Sequence, residues 1–532
     1  MSKVNIIIFN PDQMRADSMG HLGNPAARTP FLDEWAGTEA VSFRNAFCQN
    51  PVCVPSRCSF TTGTYPHTNG HRTMSYLMRE GESSLFSELK DAGYYVWMNA
   101  RNDLVAGQIP GLAERHATEI YYGGRYEAPA PERALRGEPG NKWYYSFYNG
   151  RLARAEEGRT GGDDEDVDAA IERILHPADD RPLCLFLGLV NPHPPYQVEE
   201  PYFSAIDRAK LPPRVRPEDD RGKPAIEAAI RANQNLGEMT EADWDEVRGC
   251  YLGMCSKVDD MFRRLCDALK QAGEYDNSAI FFFSDHGDYT GDHGIAEKAQ
   301  NAFEDCLVRV PLLVKPPKGY GVDPGVTDSM AELVDFYATA MEFAGVAPSH
   351  SHFGRSLSGV LADRSTPNRS FVCCEGGRLA NELHCDEFHD AAHKTMDKTN
   401  PYWPRISAQM DPVAHGKGVM LRTERYKYVA RLYEPDELYD LAEDPGEQVN
   451  RIGDPALADV AAQMKERALR WLIETADAVP FDFDCRLSTE MAWARLRRMV
   501  PEQHAEEMRR RLDEGENPYT LMNECRARFG AR

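Results

Sequence analysis

Short apolar runs that end in polar residues, with helical patterns between them, constrain the fold of this chain more than any other feature. Val4–Asn10, Leu183–Val190 and Ala279–Phe283 have the length of strands, and the first is the β-branched type found in buried parallel strands. Apolar residues recur at helical spacing in Glu241–Gly273. Further strands are predicted at Tyr94–Asn99 and Val310–Val314. This alternation predicts an α/β fold, in which a sheet is layered with helices.

Shifts in composition divide the chain into three predicted parts. Residues 1–365 hold the alternation of strands and helices and form the predicted catalytic domain. Residues 366–480 form a smaller unit, with predicted strands at Met420–Val429 and Glu437–Leu441. Residues 481–532 form a charged helical tail, which is either a solvated helix pair or an oligomer contact. We expect a homo-oligomer, either a dimer or a tetramer.

The charge balance argues against two classes of partner. Lys+Arg 61 against Asp+Glu 84 gives a net charge of −23, so the surface repels nucleic acid and anionic membranes. No run approaches the roughly 18 apolar residues needed to span a bilayer. The 13 cysteines are scattered and odd in number, and no leader signature precedes the first strand, so we expect a reduced, cytoplasmic protein. An enzyme of this charge that acts on anions needs local cations or a metal ion.

The segment from Cys53 to Gly63 carries the strongest local signal for chemistry. Pro55 suits a first helical turn and Gly63 suits a helix end, so Cys53 is predicted at a helix N-terminus. The unpaired N–H groups and the dipole of that end favour an anion. Arg57 lies four residues on, on the same helical face, where its guanidinium can pair with a tetrahedral oxyanion.

Three other interpretations of Cys53 compete with this one. Tyrosine-phosphatase-like sites place five residues between cysteine and arginine, but here there are three. The even spacing of Cys48, Cys53 and Cys58 could indicate a metal cluster, but zinc sites prefer CxxC pairs with a second pair or with histidines, and neither follows. A buried structural cysteine stays open as the third interpretation.

Polar residues follow several of the predicted strands. Asp12 comes just after the first strand, Asp285 and His286 follow Ala279–Phe283, and open α/β sheets build their sites at such ends. Two carboxylates and an imidazole can hold a divalent cation with a position open for substrate. His193, at another strand end, is a natural proton donor near neutral pH. A polar strand end or a loop histidine without a role is the alternative.

Taken together, these segments resemble the sulfatase family, in which the first cysteine of a CxPxR motif is oxidised to formylglycine. The resemblance rests on NPDQ after the first strand, CVPSR with the following TTG, NPHPP, SDHGD, and LRTERYKYV with ELYDLAEDPGEQVN in Leu421–Asn450. It implies an alkaline-phosphatase-like fold: a large mixed sheet sandwiched by helices, with a smaller C-terminal antiparallel sheet.

The resemblance also implies a metal centre with one divalent ion, calcium or manganese. Asp12, Asp285 and His286 match metal ligands, and the formylglycine made from Cys53 completes the shell. Gln13 stands where many sulfatases have a second aspartate ligand, and His286 stands where many have asparagine. Both departures are similar to the phosphonate monoester hydrolases, which leaves the choice between sulfate and phosphonate, and between the two metals, open.

The remaining roles implied by the resemblance concern the ester and its charge. Arg57 neutralises the formylglycine and sulfate oxygens, while Lys298 and His193 face the ester, with His193 as proton donor. Arg101 keeps a cation where the family has a Gly-Lys-x-His segment. The histidine of that segment is missing, and either Asp103 or His71 is expected to deprotonate the hemiacetal.

The expected function is therefore hydrolysis of a small anionic sulfate ester, after maturation by a formylglycine-generating enzyme. A phosphonate monoester or phosphodiester hydrolase that uses the same residues is the first alternative. A non-catalytic metal-binding protein of the same fold is the second.

Overall fold

A computed structural model describes residues 3–124, 136–153, 161–389, 397–481 and 484–530. The chain forms two compact units. The first consists of Met1–Ala347 with His352–Asp477, and the second of Pro348–Ser351 with Ala478–Arg532. Four residues of the predicted tail, at 482, 483, 531 and 532, lie outside the described residues. Within the described part of the chain, no helix has the length and the apolar character needed to cross a membrane.

An eight-stranded sheet forms the centre of the first unit. Its strands are β1 (Asn5–Asp12), β2 (Val41–Phe47), β3 (Tyr95–Asn99), β4 (Glu119–Tyr121), β6 (Leu183–Pro192), β8 (Ser278–Phe283), β9 (Leu312–Lys315) and β10 (Gly325–Glu332). They lie in the order β10-β2-β9-β8-β1-β6-β3-β4. Strand β9 runs antiparallel to both neighbours and the other pairs are parallel, so the sheet is mixed, as predicted.

Helices cover both faces of this sheet because alternate strand residues point to opposite sides. Ile6 and Ile8 of β1 join a core with α2 (Cys53–Thr62), α4 (Leu85–Asp91) and α11 (Val334–Ala344). Ile7 and Phe9 join a core with α1 (Pro30–Thr38), α6 (Gly162–Leu175) and α9 (Glu241–Gln271). Helix α9 corresponds to the helix predicted over Glu241–Gly273. The remaining helices of this part are α3 (Pro66–Asn69), α5 (Leu112–His116), α7 (Tyr202–Ala205), α8 (Ala225–Gln234), α10 (Asp305–Val308) and α12 (Ser358–Ala362).

Two smaller sheets complete the first unit. Strands β5 (Tyr148–Arg151) and β7 (Tyr196–Val198) pair in parallel. Strands β11 (Val372–Gly376), β12 (Gly418–Arg422), β13 (Tyr426–Arg431) and β14 (Glu437–Asp440) form the antiparallel sheet that the resemblance implied. Helix α13 (Trp403–Gln409) lies between β11 and β12 in the chain, and α14 (Ala458–Glu474) packs on this sheet through Trp471. The fold is alkaline-phosphatase-like.

The second unit contains a small helical core of its own. Its helices are α15 (Thr489–Leu496), α16 (Ala505–Asp513) and α17 (Pro518–Phe529). Leu496, Met508 and Leu521 lie in the buried cluster that they share. The role of this unit as an oligomer contact stays a prediction.

Candidate active site and metal centre

The polar residues predicted at strand ends lie at one edge of the main sheet. Asp12 is the last residue of β1, and Asp285 with His286 follows β8, which is parallel to β1. Strands β6 and β3 run in the same direction, and their ends lead into His193 and Arg101. Because the carboxyl ends of parallel strands open at the same edge, the topology brings these separate segments together.

Helix α2 carries the cysteine to this edge. It begins at Cys53 and ends at Gly63, whose φ of 69° lies in the left-handed region and whose N–H bonds the carbonyl of Ser59 at 2.9 Å. A Cβ atom on Gly63 would lie 2.7 Å from the Tyr337 ring, so glycine meets both requirements of this position. Ser56 donates a hydrogen bond of 2.6 Å to the carbonyl of Asp285, which ties the first turn of α2 to the end of β8.

Four candidate ligand side chains meet in a group that we name the Asp12 cluster: Asp12, Cys53, Asp285 and His286. One ligand atom from each lies within 4.8 Å of the others, and all four residues are buried. The Cys53 Sγ lies 3.5 Å from Asp12 Oδ1 and 3.3 Å from His286 Nε2. His286 Nε2 lies 3.5 Å from Asp12 Oδ1 and 3.8 Å from Asp285 Oδ1.

The donor atoms of the Asp12 cluster fit one divalent cation. His286 Nδ1 lies 2.9 Å from the carbonyl of Gly287, which only accepts, so Nδ1 is the donor and Nε2 carries its lone pair into the cluster. Each carboxylate turns Oδ2 toward Arg57 and Oδ1 toward the cluster. Two carboxylate oxygens, one imidazole nitrogen and an oxygen made at Cys53 suit a cation such as calcium or manganese.

Arg57 lies between the two carboxylates and is itself fully buried. Its Nε donates to Asp285 Oδ2 and its Nη2 to Asp12 Oδ2, both at 2.9 Å, and Nη1 donates to the carbonyl of Arg101. Arg101 Nη2 also donates to Asp12 Oδ2 at 2.9 Å. Gly188 of β6 makes this layering possible, since a Cβ atom there would lie 2.3 Å from the Arg101 carbonyl and 3.1 Å from Arg57 Nη1. Sequence reasoning did not find this role of Gly188.

Lys298, which follows the SDHGD segment by ten residues, also lies beside the Asp12 cluster. Its Nζ lies 3.2 Å from Cys53 Sγ and donates to Gln13 Oε1 at 2.9 Å. Gln13 has a left-handed φ of 67°, and its Nε2 donates to Asp288 Oδ2 at 2.6 Å. Asp288 also accepts a hydrogen bond from Tyr196 at 2.7 Å. Asp288 therefore turns the Gln13 carbonyl oxygen toward Lys298, a role that the final aspartate of SDHGD could have signalled.

A buried ion-pair network supports the residue before Lys298. Glu297 pairs with Arg405 of α13, and Arg405 makes a two-pronged pair with Glu387 at 2.9 Å for each bond. Glu297 Oε1 lies 3.7 Å from Lys298 Nζ. Sequence reasoning did not find this ion-pair network, because no motif links residues more than a hundred positions apart.

The other predicted residues lie at different distances from the cluster. Asp103, at a left-handed φ of 47°, has a carboxylate oxygen 3.8 Å from Arg101 Nε. His193 is partly exposed, and its Nδ1 lies 2.6 Å from the carbonyl of Pro194. His71 points its Nδ1 at the carbonyl of Tyr76 and its Nε2 at Glu82, 3.4 Å away. Of the two candidate bases, Asp103 lies beside a residue of the site, while the His71 ring is held by its own loop.

Local cations offset the acidity of the chain at this site. Burial works to raise the pKa of Asp12, but the positive charges of Arg101, Lys298 and Arg57 hold it well below its usual value. Burial works to lower the pKa of Lys298, but the negative charge of nearby Asp12 raises it. Both groups are therefore charged at neutral pH. A small anion that reaches the Asp12 cluster meets positive charge at short range, although the chain carries −23 overall.

Comparison with known proteins identifies the family of this chain. The model of the family described as Sulfatase matches residues 4–346. The chain belongs to the sulfatase family. This sulfatase is 27% identical to the choline-sulfatase of Rhizobium meliloti over 501 residues, which cover 90% of the chain and 88% of that protein. It is 24% identical to the multifunctional alkaline phosphatase superfamily protein PehA of Trinickia caryophylli, with 90% and 96% covered. Among solved structures, the phosphonate monoester hydrolase of Agrobacterium radiobacter matches with a TM-score of 0.69 at 21% identity, over 89% of this chain and 96% of that one.

Proposed function

We propose that this chain hydrolyses a sulfate ester with a formylglycine made from Cys53 and one divalent metal ion held by the Asp12 cluster. The observation that carries the proposal is the surroundings of the Cys53 sulfur. It lies 3.3 Å from His286 Nε2, 3.5 Å from Asp12 Oδ1 and 3.2 Å from Lys298 Nζ. A nucleophile at that point would touch the metal and a cationic group at once, which is the arrangement needed for attack on an anionic ester.

The unmodified thiol is poorly suited to this role. Burial, together with the charge of Asp12, raises the pKa of Cys53, so the thiol stays protonated at neutral pH. Hydrated formylglycine supplies an ionisable hydroxyl for attack and a second hydroxyl whose loss of a proton releases the sulfate. The intact CxPxR sequence at Cys53–Arg57 supports maturation by a formylglycine-generating enzyme.

The side chains around the cluster have separable tasks in this proposal. Arg57 holds the Oδ2 atoms of Asp12 and Asp285, so both Oδ1 atoms stay aimed at the metal. Lys298 stabilises negative charge beside the ester. Burial and the charge of Lys298 hold the pKa of His193 well below its usual value, so this imidazole is neutral until an anion enters. A bound ester would raise that pKa and let His193 protonate the leaving oxygen.

A phosphonate monoester is the second candidate substrate, and Gln13 is the observation that favours it. Where an aspartate would add a negative charge, Gln13 contributes a neutral amide that Asp288 and Lys298 hold in place. One negative charge less helps an aryl sulfate and an aryl phosphonate monoester alike, since both are monoanions. Gln13 therefore favours the phosphonate through the similarity of this position to the phosphonate monoester hydrolases. PehA, which is described as multifunctional, shares 24% identity with this chain and supports testing both esters.

The test is a comparison of kcat/KM for an aryl sulfate and an aryl phosphonate monoester, with protein produced beside a formylglycine-generating enzyme. We expect turnover of the sulfate that is lost in Cys53→Ala and in wild-type protein produced without the maturing enzyme. A higher kcat/KM for the phosphonate would assign the second candidate. Absence of turnover on both esters in fully matured protein would support the non-catalytic metal-binding alternative.

A further inference from the structure

A second group of potential metal ligands shares no residue with the Asp12 cluster. It consists of Asp220, Glu227 and His293, which bring one ligand atom each to within 4.8 Å of the others. Glu227 lies on α8, and Asp220 precedes that helix. His293 lies in the short helical turn Asp292–Gly294, on the loop between His286 and Lys298. The group therefore connects α8 to the segment that carries part of the active site.

Glu227 is a buried carboxyl group whose near neighbours, Lys223 and Glu304, pair with each other. The residue is 0% exposed, and neither of its carboxylate oxygens has a hydrogen-bond partner among the described residues. The nearest cations are Lys223 at 3.4 Å and Arg231 at 4.0 Å. Lys223 pairs more closely with Glu304, and Arg231 lies 3.0 Å from Asp220. After these pairs are made, Glu227 is the carboxylate left over.

A buried carboxylate without a hydrogen bond is costly, so it either takes up a proton or binds a cation. Burial and the adjacent Glu304 raise the pKa of Glu227, so a proton shared between the two is the simpler solution. A shared proton involves neither His293 nor Asp220, which form a hydrogen-bonded pair of their own beside Glu227. His293 Nδ1 lies 3.0 and 3.2 Å from the two Asp220 oxygens. That separation suits neighbouring ligands on one ion, since bonds of about 2.0–2.2 Å place them roughly 3–3.4 Å apart.

The second group also has a route for an ion. A cavity of about 320 Å³ reaches His293, and its wall carries both signs of charge: the carboxylates Asp17, Asp292, Glu304, Asp305 and Glu447, and the guanidinium groups of Arg15, Arg248 and Arg309. The carboxylates outnumber the arginines, so the wall has a net negative charge that favours a cation. An entry path is one of the features that a real metal site must have.

We propose that Asp220, Glu227 and His293 bind a second divalent cation, of the zinc or manganese class, that braces the loop between His286 and Lys298. One imidazole and two carboxylates suit these metals better than magnesium. The ion links α8 and Asp220 to the loop on which His293 lies, twelve residues of chain that end at Lys298. The binding itself is independent of the proposed sulfatase chemistry, and only its effect on turnover rests on that function.

The test compares the number of bound metal ions in two variants that differ only in the second group. Asp285→Asn removes one carboxylate of the Asp12 cluster, and this variant is dialysed to equilibrium against zinc chloride before elemental analysis. We expect one zinc per chain fewer in Asp285→Asn/Glu227→Gln than in Asp285→Asn, because Asp12, Cys53 and His286 are unchanged between the two. Glutamine has the shape and charge of a protonated Glu227, so a shared proton predicts the same zinc content in both variants. Equal zinc in the two variants would overturn the proposal.

A second readout covers the outcome in which zinc binds elsewhere on the surface. Zinc should raise the melting temperature of Asp285→Asn but not of Asp285→Asn/Glu227→Gln or Asp285→Asn/His293→Asn, because a ligand stabilises the state that binds it. The two replacements act on different ligands, so a folding defect of one does not remove the comparison. A rise of the same size in all three proteins would refute the site, whether or not the wild type is an active sulfatase.

Discussion

Replacement of Arg57 by alanine removes a buried cation from between two buried carboxylates. The Arg57 guanidinium is fully buried and pairs at 2.9 Å with Asp12 and with Asp285, which are fully buried as well. Its removal leaves two buried carboxylates facing an empty space. Breaking a buried pair from one side costs about 3–5 kcal/mol. We expect the free energy of unfolding to fall by about that amount in chelator, and by less with a saturating divalent cation, because the cation neutralises the same two carboxylates.

The same change is expected to lower kcat/KM by roughly 10–100-fold, the usual cost of losing a group that orients metal ligands, because Asp12 and Asp285 lose the partner of their Oδ2 atoms. Denaturant unfolding in chelator and in manganese gives the stability, and turnover of an aryl sulfate gives the activity. Arg369→Ala is the matched control, since Arg369 also pairs with two buried carboxylates, Glu332 and Asp335. The loss of stability in Arg369→Ala should be the same in chelator and in manganese. Equal destabilisation of Arg57→Ala with and without metal, or unchanged kcat/KM, would refute the reasoning.

Three further perturbations have defined outcomes. Arg405→Lys keeps the charge but loses the two-pronged pair with Glu387, so we expect some loss of stability. We also expect a lower kcat, because Glu297 and Lys298 lose their support, and an unchanged kcat would exclude this positioning role. Burial raises the pKa of Asp259 from 3.8 to about 7, so this carboxyl makes the fold less stable as the pH rises from about 4 to 7. Denaturation across that range should show a smaller loss for Asp259→Asn, and parallel curves for the two proteins would contradict this. Dialysis against chelator should abolish turnover and added manganese or calcium should restore it, whereas full activity in metal-free protein would rule out the metal.

The residues of the candidate metal centre were predictable because strand ends are visible in a sequence. Asp12, Asp285 and His286 each follow an apolar run, and parallel strands bring such ends together. Cys53 and Arg57 were predictable from helix punctuation, since Pro55 and Gly63 mark the start and end of α2. Five strands of the main sheet, β1, β3, β6, β8 and β9, lie on predicted runs, and the mixed sheet with its smaller companion followed from the resemblance to sulfatases.

The parts that escaped prediction depend on contacts between distant segments. Strands β2 and β10 contain polar residues such as Arg44 and Asp328, so neither forms an apolar run, and they become strands by pairing with each other. Gly188 matters because of two arginines that approach it from other elements. Arg405 supports Lys298 through Glu297, a partner more than a hundred residues away. A single sequence carries no local signal for such pairs.

The central claim is that Cys53 becomes formylglycine, and peptide mass spectrometry tests it most directly. Trypsin releases Asn45–Arg57, which contains Cys48 and Cys53, from protein produced beside an active formylglycine-generating enzyme. After alkylation, we expect the fragment to carry one alkyl group, on Cys48, and the mass loss of thiol-to-aldehyde conversion at Cys53. Cys48 serves as the internal control for complete alkylation. A fragment alkylated at both cysteines under these conditions would contradict the proposed mechanism.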